Sequence, residues 1–316
     1  MFVSIAIATY NGELYLSEQL NSILSQTILP DEIVIADDCS SDATEKIIKY
    51  YIENRHVPII YLKSEKREGY TANFNKALLK TKGDLVLLCD QDDVWFKNKV
   101  EEVKKYAHNS KKMLIIHDKI YTDKELNPYP KTAFQKFIEK GNELNDFISG
   151  SVMAVKRELL NICLPIPVSF TGHDNWIGCH AQALNTVDVL NISLMYYRRH
   201  ASATMEKYGN IEKYNLFKKT KAHLNYLNNS YNNNVVLLKK LETLDKNSSF
   251  LDVENFMNKI KKNNLNLDIR NKMKNEPLVK RLKYAVKLFE SEIYKGVSGK
   301  IAFLVDFLNI DIIDQQ

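Results

Sequence analysis

Five short, nearly uninterrupted apolar runs, at residues 2–8, 32–36, 58–62, 84–89 and 113–117, alternate with segments whose apolar residues recur at helical spacing. Few architectures accept that pattern. A strand that is apolar on both faces must be covered on both faces, and strands separated by helices pair in parallel, so the chain is expected to form βαβ units around a mostly parallel sheet. The expected strands are Phe2–Ala8, Glu32–Ala36, Pro58–Leu62, Asp84–Cys89 and Met113–His117. Between them, Leu16, Leu20, Ile23 and Leu24 form one helical stripe, and Ile47, Ile48, Tyr51 and Ile52 form another. In such sheets ligands bind outside the carboxyl ends of the strands. Three of the runs lead straight into polar clusters there: Thr9-Tyr10-Asn11-Gly12, Asp37-Asp38-Cys39-Ser40-Ser41-Asp42 and Asp90-Gln91-Asp92-Asp93. A single acidic turn is ordinarily a helix cap, and Asp42 with Glu45 three residues on reads as a capping pair. Three clusters on one sheet edge predict a binding site.

Between about residues 147 and 200 the pattern is mixed, with Val152–Val155 and Thr186–Tyr197 strand-like and Asn175–Leu184 helix-like. Beyond that the chain reads as mainly helical. Leu278, Leu282, Ala285, Phe289 and Ile293 form a stripe with Lys280, Arg281, Lys283 and Lys287 on other faces, and the Asn-rich run 228–234 reads as a loop. The expected organisation is an α/β domain over residues 1–205 and a helical region over 206–316. Charge divides the same way: residues 206–316 hold 20 Lys/Arg against 13 Asp/Glu, whereas residues 1–205 hold 24 against 26. A basic part suits an anionic surface such as a membrane, although a solvated, Lys- and Asn-rich helical surface accounts for the same excess. Its lysines are interleaved with acids and no recognised nucleic-acid-binding motif is present, so nucleic acid is not an expected partner.

The four cysteines include no C-x-x-C pair, which fits a reducing compartment. Residues 2–8 are too short for a secretory signal and no basic segment precedes them. No stretch reaches the roughly 20 uncharged apolar residues that a membrane span needs; the nearest, 301–308, is short and contains Asp306. These features point to a cytoplasmic protein, with peripheral docking at the inner face of the cell membrane left open by the basic part.

Asp90 and Asp92 at a strand end offer hard oxygen ligands suited to Mg²⁺ or Mn²⁺ bridging two phosphates. The pair is a short motif, and Asp93 would serve equally as the cap of a helix beginning near Phe96. Neither a G-x-x-x-x-G-K-[ST] loop nor a G-x-G-x-x-G turn follows the first strand, which leaves a phosphate-bearing ligand held through metal.

The ordered set TYNG (Thr9 to Gly12), ADDCSSDAT (Ala36 to Thr44), CDQDDVW (Cys89 to Trp95), GHDNW (Gly172 to Trp176) and YRRH (Tyr197 to His200) resembles the family-two glycosyltransferases of GT-A fold. The DQDDxW, HDxW and YRxH variants are similar to those of bacterial rhamnosyltransferases of polysaccharide assembly, over roughly residues 2–205. The resemblance implies a GT-A nucleotide-diphospho-sugar transferase fold and an inverting, metal-dependent transfer to a glycan or lipid-linked acceptor. It names L-rhamnose from dTDP-rhamnose first and a UDP-hexose as the alternative donor. It also implies roles. Thr9, Asn11 and Asp38 would face the nucleotide, with Asp38 accepting a hydrogen bond from the pyrimidine. Asp90 would sit near the ribose and metal, Asp92 would ligate Mg²⁺ or Mn²⁺, Asp174 would be the general base, and His200 with Arg199 would approach the diphosphate or metal. Cys39 stands where the family commonly has Gly.

Elementary chemistry asks for the same groups. Inversion needs a carboxylate to take the acceptor's proton on the face opposite the leaving group, and the departing diphosphate needs a counter-charge. Simpler readings remain for each residue. Asp174 fits the N-cap of the helix at 175–184, His200 a surface histidine, and Arg67, Glu68 and Asn73 an ordinary turn at Gly69. Trp95 and Trp176 read first as core aromatics, with acceptor stacking open for Trp176. A sugar-phosphate nucleotidyltransferase would need a Gly-rich basic loop that Thr9 to Gly12 does not provide. A non-catalytic nucleotide-sugar binder is opposed by the intact carboxylates.

Overall fold

The structure, a computed structural model, describes residues 1–200, 232–243, 251–274 and 284. The chain divides into two compact units, Met1–Ala201 and Ser202–Gln316. In the first unit β1 (Val3–Thr9), β2 (Glu32–Asp37), β3 (Ile59–Lys63) and β4 (Leu85–Asp90) pair in parallel in the order β3-β2-β1-β4. Helices α1 (Leu16–Leu24), α2 (Thr44–Asn54) and α3 (Tyr70–Lys80) make the crossovers. Both sheet faces are covered, and Ile5, Ile7, Ile33, Ile35, Val86 and Leu88 are fully buried.

Each of these four strands runs one residue beyond its apolar run, because the parallel ladder continues through the pairs Thr9↔Asp37, Ala8↔Asp90 and Asp37↔Lys63. Thr9, Asp37 and Asp90 are therefore strand residues held by main-chain pairing, not loop residues.

The rest of the unit comprises β5 (Val94–Trp95), α4 (Lys99–Asn109), β6 (Leu114–Thr122), β7 (Pro128–Thr132), α5 (Ala133–Ile138), β8 (Met153–Lys156), α6 (Arg157–Cys163), α7 (His173–Ala183) and β9 (Val187–Arg198). Strand β8 lies antiparallel between β4 and β6, so the nine-stranded sheet β3-β2-β1-β4-β8-β6-β9-β5 is mixed in its second half, with β7 paired to β6. Strand β6 ends at Thr122, five residues past the expected end at His117. Its pairing with β9 passes two irregularities and resumes to Thr122↔Arg198, which keeps the polar residues Asp118 and Lys119 inside the sheet.

Two cap expectations are corrected. The carboxylate of Asp42 accepts from the Thr44 main chain and hydroxyl and from the Glu13 N–H. Glu45, however, pairs with Lys49 and Lys63 instead of reaching back to the cap. Asp93 caps nothing: α4 begins at Lys99 after Asn98, and Asp93 is buried where it accepts from the Arg198 N–H at 3.2 Å.

In the second unit residues 232–243 are helical (α8) and Leu251–Lys274 forms a long helix (α9). Val253, Met257 and Ile260 are buried at helical spacing. Asn232 to Asn234 belong to α8, contrary to the expected loop, and Asn234 Nδ2 donates to Asn264 Oδ1 at 2.9 Å. The stripe from Leu278, its basic neighbours and the run 301–308 lie outside the described residues. Among those described, no helix is long and apolar enough to cross a membrane.

Candidate active site

The carboxyl ends of β1, β2 and β4 are adjacent in the sheet, and side chains knit them into one cleft wall. Thr9 Oγ1 donates to Gln91 Oε1 at 2.5 Å, and the same oxygen accepts from the Tyr10 N–H at 2.9 Å. A Cβ at residue 12 would lie 2.6 Å from Gln91 Oε1 and 2.8 Å from Thr9 Oγ1, which is why the turn carries Gly. The Asn11 N–H donates to Ser40 Oγ and Asn11 Oδ1 accepts from the Ser41 N–H, both at 2.9 Å. Cys39 keeps a left-handed φ of 66°, the conformation glycine adopts most cheaply, so the turn retains its shape at some strain.

Asp38 is buried, and its two oxygens accept from the N–H groups of Glu68 and Gly69 at 2.7 and 2.8 Å. That grip holds the loop before α3 against the cleft. Arg67 in the same loop stacks its guanidinium 4.0 Å from the Tyr10 ring centre. Asn73 Nδ2 donates to the carbonyls of Thr9 and Ala36 at 3.1 and 2.8 Å, tying α3 to the ends of β1 and β2. The turn at Gly69 is thus part of the cleft wall.

The acidic cluster carries the strongest electrostatics. Burial, and then the neighbouring Asp92, push Asp90 up to about 7, and the same causes push Asp93 well above the carboxylate range. His200 Nε2 lies 2.9 Å from Asp92 Oδ2. Arg198, buried at the end of β9, donates from Nε to the Asp92 carbonyl at 3.0 Å and pairs with Glu18. Arg199, between Arg198 and His200, is exposed, and its N–H donates to the Thr122 carbonyl at 3.0 Å.

Lys119, which the sequence did not single out, is buried and donates to the hydroxyls of Ser149 and Ser151 at 2.8 and 3.1 Å. Burial lowers its pKa, against which Asp93, Asp90 and Asp174 act to hold the proton. One buried cation therefore feels both the DQDD cluster and Asp174, and the two lie in one electrostatic neighbourhood.

Asp174 sits in the first turn of α7, whose N-cap is Gly172 and which has no side-chain cap bond. Asp174 is therefore not the N-cap residue of this helix. Half-buried, Asp174 accepts at Oδ1 from the Asn175 N–H at 2.9 Å, at the positive end of the helix. Trp176 is fully buried with Nε1 donating to the Cys163 carbonyl at 2.7 Å, and Trp95 is 3% exposed with Lys99 Nζ 3.8 Å from its ring centre. Both are core aromatics, and burial removes Trp176 as a stacking platform. Among the described residues, no group of three or more His, Cys, Asp or Glu converges as a metal site. Asp92 and His200 are two converging donors beside buried carboxylates whose charge a cation would relieve, and Mg²⁺ ordinarily completes such a set with phosphate oxygens and water.

Comparison with known proteins agrees with this geometry. The profile described as glycosyl transferase family 2 matches residues 4–163. An uncharacterized glycosyltransferase of Nostoc sp., alr2836, is 30% identical over 231 residues, which cover 66% of this chain and 70% of that protein. The abequosyltransferase RfbV of Salmonella typhimurium is 35% identical over 34% of this chain and 32% of its own length. The putative teichuronic acid biosynthesis glycosyltransferase TuaG of Bacillus subtilis is 35% identical over 32% of this chain and 39% of its own length. The chain thus spans only about a third to two fifths of those two. The crystal structure of S. aureus TarS 1-349 in complex with UDP-GlcNAc superposes with a TM-score of 0.59 at 19% identity, covering 98% of this chain and 89% of that one, a likeness of fold. The fold is the GT-A arrangement, and with the profile spanning half of its length the chain belongs to glycosyl transferase family 2.

Proposed function

We propose that this glycosyltransferase moves a sugar, with inversion, from a nucleotide-diphospho-sugar to a hydroxyl of a glycan or lipid-linked saccharide in cell-surface polysaccharide synthesis. The observation that carries the reading is Asp174: a half-buried carboxylate in the first turn of a helix, not its N-cap residue, that shares the buried Lys119 with the DQDD cluster. On this reading Asp174 takes the acceptor hydroxyl's proton while the acceptor oxygen attacks the anomeric carbon. The bond to the diphosphate breaks on the opposite face, and the anomeric configuration inverts. Thr9, Asn11 and Asp38 would face the nucleotide, Asp90 would sit near the ribose and metal, and Arg199 would approach the diphosphate.

Asp92 and His200 fit Mg²⁺ or Mn²⁺, which when bound would offset charge on the departing diphosphate as a Lewis acid. The DQDDxW, HDxW and YRxH motifs favour L-rhamnose from dTDP-rhamnose. A UDP-hexose is the second reading, favoured by the UDP-GlcNAc bound in the TarS neighbour. The acceptor would be met at the cytoplasmic face of the membrane, where the basic excess of residues 206–316 would attract anionic lipid.

The test is donor-dependent hydrolysis and thermal stabilisation across a panel of dTDP- and UDP-sugars, with Mg²⁺, with Mn²⁺ and with excess EDTA. The proposal expects one donor class to be turned over and EDTA to abolish turnover. Absence of any donor response would refute the donor assignment, and full turnover in EDTA would refute the metal role.

A further inference from the structure

The helix that carries Asp174 lies along residues 145–151, which run beside it in the opposite direction. At the far end of α7, Gln182 Nε2 donates to the Asn145 carbonyl and to Asp146 Oδ1, at 3.3 and 3.1 Å. In the middle, a Cβ at Gly178 would come within 1.9 Å of Ile148 Cδ1 and 3.1 Å of its Cγ1, so glycine leaves the isoleucine its place. At the near end, a Cβ at Gly150 would lie 2.6 Å from His173 Nε2 and 3.6 Å from the Asp174 Cβ. These contacts, in register, seat the first turn of α7 directly on residues 149–151. The His173 side chain adds no bond of its own: its ring stacks on Phe74 at 3.8 Å between centres, and neither nitrogen has a hydrogen-bond partner among the described residues. The Gly172 N–H donates to Thr71 Oγ1 at 2.9 Å, which ties the start of the helix to α3. Residues 149–151 are its other seat, and Asp174 is placed as firmly as they are.

Lys119 holds that seat. Its Nζ donates to the hydroxyls of Ser149 and Ser151, at 2.8 and 3.1 Å, one on each side of Gly150. Lys99 Nζ adds a bond to the Ser151 carbonyl at 3.2 Å. The Lys119 ammonium also lies 3.8 Å from the centre of the Tyr197 ring, on the strand that ends at Arg198 and leads to His200. Lysine is a costly choice for such a clamp, because a buried ammonium is expensive unless its charge is compensated. Here neither printed bond goes to a carboxylate, and a neutral side chain could hold two hydroxyls without that cost. Burial works against the charge, and Asp93, Asp90, Asp174 and Asp118 work for it. One residue thus joins the DQDD cluster and β9 to the seat of Asp174. We propose that Lys119 is a positioning residue for the transfer: by clamping Ser149 and Ser151 it fixes Gly150, and through Gly150 the placement of Asp174. This rests on the reading of Asp174 as the base.

The experiment follows hydrolysis of dTDP-L-rhamnose and of UDP-GlcNAc with Mg²⁺, where water replaces the acceptor hydroxyl and Asp174 takes its proton. Two clamp variants are compared with wild type. Lys119→Met removes the charge and its donors, whereas Ser149→Ala with Ser151→Ala keeps the charge and removes what it holds. A misplacement of about 1 Å can cost roughly 10²-fold in rate. Each variant should therefore lose about tenfold or more in kcat on the nucleotide-sugar that wild type hydrolyses, while its calorimetric Kd stays within about twofold. Built into Asp174→Asn, which is itself slow, each should cost less than about a further twofold, because a residue acting through the base has nothing left to act on. A wild-type rate in either folded variant, an equal fold-loss with and without Asp174, or a Kd that weakens as much as kcat falls overturns the assignment. Should Lys119→Met not fold, the serine pair decides; if neither variant folds, Lys119 supports the fold and not the base, and the assignment is overturned. An Asp174→Asn protein that hydrolyses as wild type does refutes the base itself, whatever the clamp variants show, and hydrolysis of neither sugar by wild type refutes the donor reading; the inference falls with either.

Discussion

Replacing Asp38 by Asn should release the loop that closes the nucleotide side of the cleft. The carboxylate accepts from the Glu68 and Gly69 N–H groups at 2.7 and 2.8 Å in a buried setting. Hydrogen bonds to a charged group contribute roughly 1.5–3 kcal/mol each. Asn offers one carbonyl oxygen, so one N–H keeps a weakened partner while the other meets an NH₂ group and is left buried and unmet, at about 1–3 kcal/mol. The combined local loss is then about 2–4 kcal/mol, or roughly 30- to 700-fold in the opening equilibrium at about 1.4 kcal/mol per tenfold. Amide hydrogen exchange reads this directly: the Glu68 and Gly69 amides should exchange faster by that factor, while amides in β1 and β2 keep their protection. Arg67 should lose its stacking on Tyr10, and nucleotide affinity should fall with it. Unchanged exchange at Glu68 and Gly69 would refute the claim that Asp38 holds the loop.

Three further outcomes are expected. Cys39→Gly removes the left-handed penalty at φ 66°, about 1–2 kcal/mol, less the roughly 0.5–1 kcal/mol of extra chain entropy Gly loses on folding, so thermal unfolding should show a small rise in Tm; a drop would contradict the strained-turn reading. Glu45 is held at about 2 by its bonds to Lys49 and Lys63, below its ordinary 4.5. Its contribution is therefore present above pH 4.5 and lost as pH falls toward 2, and Glu45→Gln should flatten the acid limb of a Tm-against-pH profile over that window, whereas identical profiles would remove the ion pairs from the account. Changing Lys280, Arg281, Lys283 and Lys287 to Gln should weaken flotation with anionic liposomes at low salt, at about 1 kcal/mol per basic residue near the surface; equal flotation of both proteins would leave the basic excess as a solvated surface.

The parallel half of the sheet was legible because doubly covered strands are written as plain apolar runs. Their last residues were not, since Thr9, Asp37 and Asp90 are polar and only the neighbouring strand keeps them in the ladder. The same cause hid Lys119: after His117 the strand turns polar, and nothing in the residues Asp118 to Thr122 says that β9 pairs with them and buries the lysine. Arg198 was eclipsed by Arg199 in the YRRH run. Of the pair, Arg198 is the buried one, directed to the Asp92 carbonyl and Glu18, a choice made by the packing of β9 rather than by residue type. His173 carried a signal, a histidine beside the expected base, but its unmet nitrogens are visible only once Phe74 and Gly150 are placed around it. The Asn run ending in α8 went the other way, because weak helix propensity yields to tertiary contacts.

The central claim is that Asp174 is the base of an inverting transfer, and single-turnover kinetics with Asp174→Asn test it most directly. Using the donor that wild type turns over, the variant should lose about 10²-fold or more in kcat while its dissociation constant for that donor stays within about twofold, and NMR of the wild-type glycoside should show the inverted anomer. A variant with near wild-type kcat, or a product that retains the donor's configuration, would contradict it.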